Sequence, residues 1–97
     1  MKTVKIEVSG IIELTYDENS PEFKEALEGY KDVMEREGTK ESMLKHVAFY
    51  ITRFGIYSMV EGVGYVGHNN QTLMGEPYSG IMVGKGFDDF DFEIINN

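Results

Sequence analysis

Carboxylate side chains are the residues most able to do chemistry in this sequence, and they fall in two stretches. The first set, spaced by three and four residues, comprises Glu25, Glu28, Asp32 and Glu35. The second set lies within six residues and comprises Asp88, Asp89, Asp91 and Glu93. Carboxylates at this density can hold Mg²⁺ or Ca²⁺, or attract a basic macromolecule. The second set alternates with apolar residues, which is the pattern of a half-buried strand with an acidic outer face, so no metal site is expected.

A smaller cationic group follows the first acidic set. Residues 38–54 carry three basic residues and one acidic residue, and the candidate ligand-binding side chains are Lys40, Lys45, His46 and Arg53. Such a patch could bind a small phosphate-bearing molecule. It could equally balance the negative charge of the preceding segment. Neither His46 nor His68 has a partner at metal-ligand spacing, so a zinc site is not expected.

Two glycine-rich stretches resemble nucleotide motifs by letter only. Residues 62–67 match G-x-G-x-x-G, but a turn sequence follows at 68–70, whereas the dinucleotide motif needs a helix there. Gly84-Lys85-Gly86 lacks the longer frame of a phosphate loop. The sequence has no cysteine, which excludes disulfides, thiolate metal sites and a cysteine nucleophile. We therefore expect no catalytic residue, no cofactor and no enzymatic activity.

The charge distribution favours a basic protein as the partner. The net charge is −8, and residues 17–37 alone hold eight acidic and three basic residues. Direct binding to nucleic acid is disfavoured because Lys and Arg supply most of that affinity. No apolar run approaches the roughly 20 residues of a membrane span, and residues 1–5 show no signal-peptide core. The absence of cysteine then favours the cytoplasm.

The first sixteen residues predict a strand with one buried face. Apolar residues occupy the even positions from Val4 to Tyr16, and polar residues fill most of the odd ones. A two-residue turn at Ser9-Gly10 would place Glu13 on the buried face, so it is rejected. Two alternatives remain: a strand that is bent at Gly10, which we favour, and a three-residue loop at residues 9–11.

Two helices should follow, joined by a short connection. Ser20 can cap the first helix, Pro21 suits its first position, and Gly38 stops it. Thr39 caps the second helix, which Gly55 ends. The predicted apolar stripes are Phe23, Ala26, Leu27, Tyr30, Val33 and Met34 in the first helix, and Met43, Leu44, Val47, Ala48, Ile51 and Phe54 in the second. The short connection predicts an antiparallel helical hairpin.

The remaining residues return to strands that are interrupted by turns. The 97 residues fit a single domain, 1–97, of the α+β class. The expected order is β-α-α-β-β-β, with the helical hairpin packed on one face of an antiparallel sheet.

In size, acidity and lack of catalytic motifs, the chain resembles the small acidic inhibitors of bacteriophages, including anti-CRISPR proteins and DNA mimics. The resemblance is one of overall character, and no motif carries it. It implies an inhibitor that covers a basic, nucleic-acid-binding surface of a partner through the two carboxylate sets. The alternative is a homo-oligomer that binds or sequesters a small phosphate-bearing ligand at the cationic group.

Overall fold

The fold was obtained as a computed structural model, which describes residues 1–68, 71–72, 77–84 and 90–95, with the backbone alone at 71–72. Its elements in chain order are β1 (Lys5–Ser9), β2 (Leu14–Tyr16), α1 (Pro21–Val33), α2 (Lys40–Phe54), β3 (Tyr65–His68), β4 (Gln71–Thr72), β5 (Tyr78–Val83) and β6 (Asp91–Ile95). The α+β class is confirmed.

Local signals fix the helix ends. The Ser20 hydroxyl accepts a hydrogen bond from the Phe23 amide at 3.2 Å, and Pro21 begins α1. Thr39 and Ser42 form a reciprocal capping box at the start of α2, and Gly55, with φ at +94°, follows its last residue. The first helix ends at Val33, ahead of Gly38, and the predicted stripe residues Val33 and Met34 are exposed rather than buried.

The strands form two separate sheets. The larger has the order β2-β5-β3-β4, with antiparallel pairs β2·β5 and β3·β4 and a parallel pair β3·β5. The expected antiparallel arrangement therefore holds for two of its three pairs. The first predicted strand is divided at residues 10–13: β1 leaves to pair with β6, while β2 joins the larger sheet.

The core lies between the helices and the larger sheet. Its fully buried side chains come from both helices, the loop after α2, and strands β3 and β5, and the largest are Phe23, Met43, Ile51 and Ile81. Tyr16 of β2 stacks on Phe23 of α1, with ring centroids 4.7 Å apart. The apolar stripe of α2 is buried as predicted at Met43, Val47 and Ile51, whereas Phe54 is exposed.

Strands β1 and β6 form an antiparallel ribbon, which we call the ribbon, outside that core. All ten of its residues are exposed. Gly10 follows β1 because a Cβ at that position would overlap the Phe90 ring just before β6. The radius of gyration is 15.2 Å, against about 12–13 Å for a compact chain of this length. The long axis of 49 Å is consistent with a ribbon that extends from the body.

Candidate functional site

Helix α1 presents three carboxylates on one exposed stripe. Glu25, Glu28 and Asp32 are three and four residues apart, so at 100° per residue they fall within an arc of about 60°. The opposite side of the helix buries Phe23, Ala26 and Tyr30 against the core. The predicted fourth member, Glu35, lies beyond the helix end. We refer to the set Glu25, Glu28, Asp32 and Glu35 as the acidic ridge.

No carboxylate of the acidic ridge forms an ion pair with a lysine or arginine of the described residues. Lys24 and Lys31 could pair with acidic residues four positions later, yet neither lies within 4.0 Å of a carboxylate oxygen of any residue that the structure describes. Across the described ranges, the one ion pair joins Lys40 Nζ to Glu18 Oε2 at 2.8 Å. The carboxylates of Glu25, Glu28 and Asp32 are therefore exposed and have no salt-bridge partner in the described part of the chain.

Glu35 differs from the other members because the core orients it. The Tyr30 hydroxyl donates a hydrogen bond to Glu35 Oε2 at 2.9 Å, and Tyr30 itself is buried. The ring of Tyr30 also packs against Gly38, where a Cβ would lie 2.6 Å from the Tyr30 Cε2 atom. The Glu35 carboxylate is thus held just past the C-terminus of α1 while its charge remains exposed.

The position of the acidic ridge along α1 is electrostatically unfavourable. The C-terminus of a helix carries a partial negative charge, which stabilises cations and repels anions. Asp32 lies in the last turn of α1 and Glu35 just beyond it, where only Lys31 supplies a positive charge within the turn. A positively charged partner that binds here would remove this repulsion as well as form new charge pairs.

A half-open pocket of about 330 Å³ lies beside the acidic ridge, between α1 and the start of β5. Apolar groups dominate its lining, and the principal ones are Ala26, Val33, Met59, Val63 and Pro77. Glu22 and Glu25 lie at its α1 side and Tyr78 at its β5 side. An apolar recess next to carboxylates suits the aliphatic stem of a lysine or arginine, whose charged end stays near the acids.

Tyr78, at the edge of this pocket, is partly buried and lies near the negative charge of Glu22. Burial raises the pKa of the Tyr78 phenol above its ordinary value of 10.0, and the Glu22 carboxylate raises it further. The phenol therefore stays neutral in the pocket and keeps its proton for donation. Neither Tyr78 nor Glu22 was predicted as a site residue from the sequence. Glu22 could have been found because it lies three residues before Glu25, whereas Tyr78 required the tertiary structure.

Two of the four residues in the second carboxylate set lie within the part of the chain that the structure describes. Asp91 and Glu93 are exposed on β6, while Asp88 and Asp89 lie outside the described residues. In the ribbon, Glu93 is directly opposite Glu7, and Asp91 is opposite Ser9. Glu7, Asp91 and Glu93 form what we call the acidic face of the ribbon. Glu7 was not singled out from the sequence, although its odd position in β1 already placed it away from the apolar residues.

The two carboxylate sets lie toward opposite ends of β5. The amide of Gly84, just after β5, donates to the Glu13 carbonyl at 2.8 Å, so the ribbon departs from this C-terminal end. The first turn of α1 contacts Gly80 in mid-strand, and the rest of α1 runs toward Pro77 and the start of β5. The ribbon therefore begins at the C-terminal end of β5, whereas α1 runs toward the N-terminal end of the same strand.

The predicted cationic group is dispersed around α2, and several of its members are engaged. Lys40 Nζ donates to Glu18, and this hydrogen bond, with the attraction of that carboxylate, raises the pKa of Lys40 above its ordinary value of 10.5. His46 Nε2 lies 2.9 Å from the Glu61 carbonyl oxygen, and its ring lies 5.5 Å from that of Tyr30. Arg53 lies over the ring of Phe54, 5.7 Å from its centroid. Lys45 is exposed.

Other functional classes gain no support from the described part of the chain. No three histidine or carboxylate side chains there are placed to share a metal ion. None of the helices described is both long enough and apolar enough to cross a bilayer. The chain matches no protein-family model, and neither the curated proteins nor the solved structures contain a detectable relative.

Proposed function

We propose that this protein is an inhibitor that binds a basic, nucleic-acid-binding surface of a partner protein through the acidic ridge of α1. The observation that carries the proposal is the row of exposed carboxylates, without salt-bridge partners among the described residues, on a chain of net charge −8. Complementary charge of this kind raises the association rate and selects basic partners. The proposal agrees with the resemblance of this chain, in size, acidity and lack of catalytic motifs, to phage-type anti-defence inhibitors, which implies an inhibitor that covers a nucleic-acid-binding surface.

The charge spacing of the ridge supports mimicry of a phosphate backbone. Successive carboxylates at 25, 28 and 32 are separated by about 5 Å along the helix axis. One DNA strand carries a charge about every 3.4 Å of its axis. The two spacings agree within a factor of two, so a groove lined with Lys and Arg can meet either. The pocket beside the ridge adds a recess for one of those side chains.

The alternative, a phosphate-bearing ligand at α2, has less support. Two of its four candidate residues, Lys40 and His46, already bind protein oxygen atoms at 2.8 Å and 2.9 Å. The pocket of about 330 Å³ lies beside carboxylates, which repel phosphate. We therefore retain the protein inhibitor as the proposed function.

A pair of matched triple variants tests the proposal. The helix triple is Glu25→Lys, Glu28→Lys and Asp32→Lys, and the ribbon triple is Glu7→Lys, Asp91→Lys and Glu93→Lys. Each changes the net charge from −8 to −2, so long-range attraction to a basic protein falls equally. Proteins captured from a host lysate by the wild-type chain are purified and assayed for DNA binding. The wild-type chain should displace DNA from the captured protein, with affinity that falls as salt rises.

The helix triple should lose at least about 100-fold in affinity, because several charge pairs are replaced by repulsion. The ribbon triple should lose less than the helix triple. Circular dichroism checks that both variants fold. Equal losses in the two triples would show that only net charge matters, and a captured protein without nucleic-acid affinity would also contradict the proposed function.

A further inference from the structure

The ribbon has an apolar face that nothing in the described chain covers. Side chains alternate between its two faces, and the register places Ile6 opposite Ile94 and Val8 opposite Phe92. These four residues are between 56% and 66% exposed. The acidic face, on the other side, carries every charged residue of the two strands.

Such a ribbon is unstable alone in water. A two-stranded sheet without a second layer has marginal stability. Its apolar side chains are exposed, and each strand forms hydrogen bonds along one edge only. The larger sheet obtains its second layer from the helices, with α1 packed against β5. No described segment of the chain supplies such a layer for the ribbon, so we expect another surface, which we call the occupant, to cover its apolar face.

We propose that the occupant is the same apolar face of a second copy, so that the protein is a homodimer joined through its ribbons. Two chains of net charge −8 repel each other, and an uncharged face is where they can meet. In such a dimer the two-fold axis would lie in the interface, perpendicular to the strands. It would place the Ile6–Ile94 pair of one copy against the Val8–Phe92 pair of the other. This self-complementary arrangement is the usual one in dimers.

The surface area that this dimer would bury is in the range expected for a reversible interface. Each of the four side chains offers on the order of 100 Å², and Val4, which continues the alternation and is 61% exposed, adds a similar amount. Two faces together therefore bury roughly 1,000 Å², the lower limit for a specific interface.

A basic partner would instead favour the charged face. An anionic membrane surface would be repelled by the acidic face and the net charge. The proposal does not depend on the proposed inhibitory function.

Neighbouring isoleucines on β6 provide a matched test. Ile94 lies on the apolar face and Ile95 on the acidic face, where it is opposite Lys5. Sedimentation velocity should give the wild type a mass near 22 kDa at tens of micromolar, twice the 11.0 kDa of the chain. Ile94→Glu should weaken the dimer at least about 100-fold, because a carboxylate would be buried without a partner. Ile95→Glu should change the dissociation constant less than about threefold.

A second pair of variants keeps the test decisive if Ile94→Glu fails to fold. The chain has no cysteine, so Val8→Cys and Ser9→Cys each introduce a single thiol on opposite faces of β1. A short bismaleimide linker should join Val8→Cys into dimers and leave Ser9→Cys largely monomeric.

Three results would overturn the proposal: a monomeric wild type, equal effects of the two glutamates, or equal cross-linking of the two cysteines. If a monomeric wild type floats with phosphatidylcholine vesicles and Ile94→Glu abolishes flotation, the face belongs to a lipid surface instead.

Discussion

At the scale of single residues, Gly80 determines how closely α1 can approach the sheet. Its φ is +76°, and a Cβ at that position would lie 2.9 Å from the Phe23 backbone nitrogen. The first turn of α1 therefore rests directly on the backbone of β5. This contact sets the height of the helix above the sheet, and with it the position of Glu22 and Glu25 beside the pocket.

Gly80→Ala should destabilise the protein more than Gly55→Ala does. Both glycines have positive φ, +76° and +94°, but nothing lies within 4 Å of a Cβ at Gly55. Gly55→Ala should cost about 1–3 kcal/mol for the backbone conformation alone. Gly80→Ala should cost about 1–3 kcal/mol more, because the methyl group must displace α1. Chemical denaturation measures both, and equal losses would show that the helix is not in close contact with Gly80.

Residue-scale signals also explain which features could be predicted from the sequence. The caps at Ser20, Thr39 and Gly55 were found correctly because each depends on a few adjacent residues. The three-and-four spacing likewise identified the exposed stripe of Glu25, Glu28 and Asp32. Tyr78 was missed because its place in the pocket depends on contacts between distant segments. The exposure of Val33 was missed because helical spacing places it beside the buried stripe, whereas in the structure it lines the half-open pocket.

At the scale of elements, the ribbon combines an uncovered apolar face with a repulsive acidic one. Glu7 and Glu93 are cross-strand partners, and like charges directly opposite each other destabilise a strand pair. The alternating patterns correctly predicted two strands, but the prediction that their apolar faces are buried is wrong, because Ile6, Val8, Phe92 and Ile94 are all exposed. It could not show that β1 and β6 would pair with each other, because that pairing joins segments more than 80 residues apart and depends on the break at Gly10.

Glu7→Lys should therefore stabilise the ribbon. It replaces a repulsive cross-strand pair with an attractive one, a gain of about 0.2–1 kcal/mol. Hydrogen exchange at the β1 and β6 amides should slow roughly two- to fivefold, since exchange follows the local opening equilibrium. Glu41→Lys on α2 makes the same charge change and should leave these amides unaffected. Unchanged or faster exchange in Glu7→Lys would contradict the register of the ribbon.

At the scale of the whole molecule, negative charge opposes folding and assists the proposed binding. The net charge is −8, and the described residues contain a single ion pair. Self-repulsion of this kind destabilises the compact state and is screened by salt. The α+β class and the helical segments followed from the sequence, whereas the parallel pairing of β3 with β5 did not, since strand order depends on long-range packing.

Added salt should therefore stabilise the protein while it weakens the proposed complex. The thermal midpoint should rise between about 0.02 M and about 0.5 M NaCl, as screening reduces repulsion. The helix triple, with net charge −2, should show a smaller rise. Differential scanning calorimetry checks both, at one protein concentration because a dimer's midpoint depends on concentration. A midpoint that falls with salt would mean that attractive pairs outweigh the repulsion.

The direction of α1 along β5 has a consequence for the assembly. The helix runs away from the end at which the ribbon departs, so two copies joined at their ribbons would hold their ridges on the far sides of the pair. Each dimer would then offer two independent docking points. On a partner that is itself two-fold symmetric, simultaneous engagement of both points would raise the overall avidity well above that of either point alone.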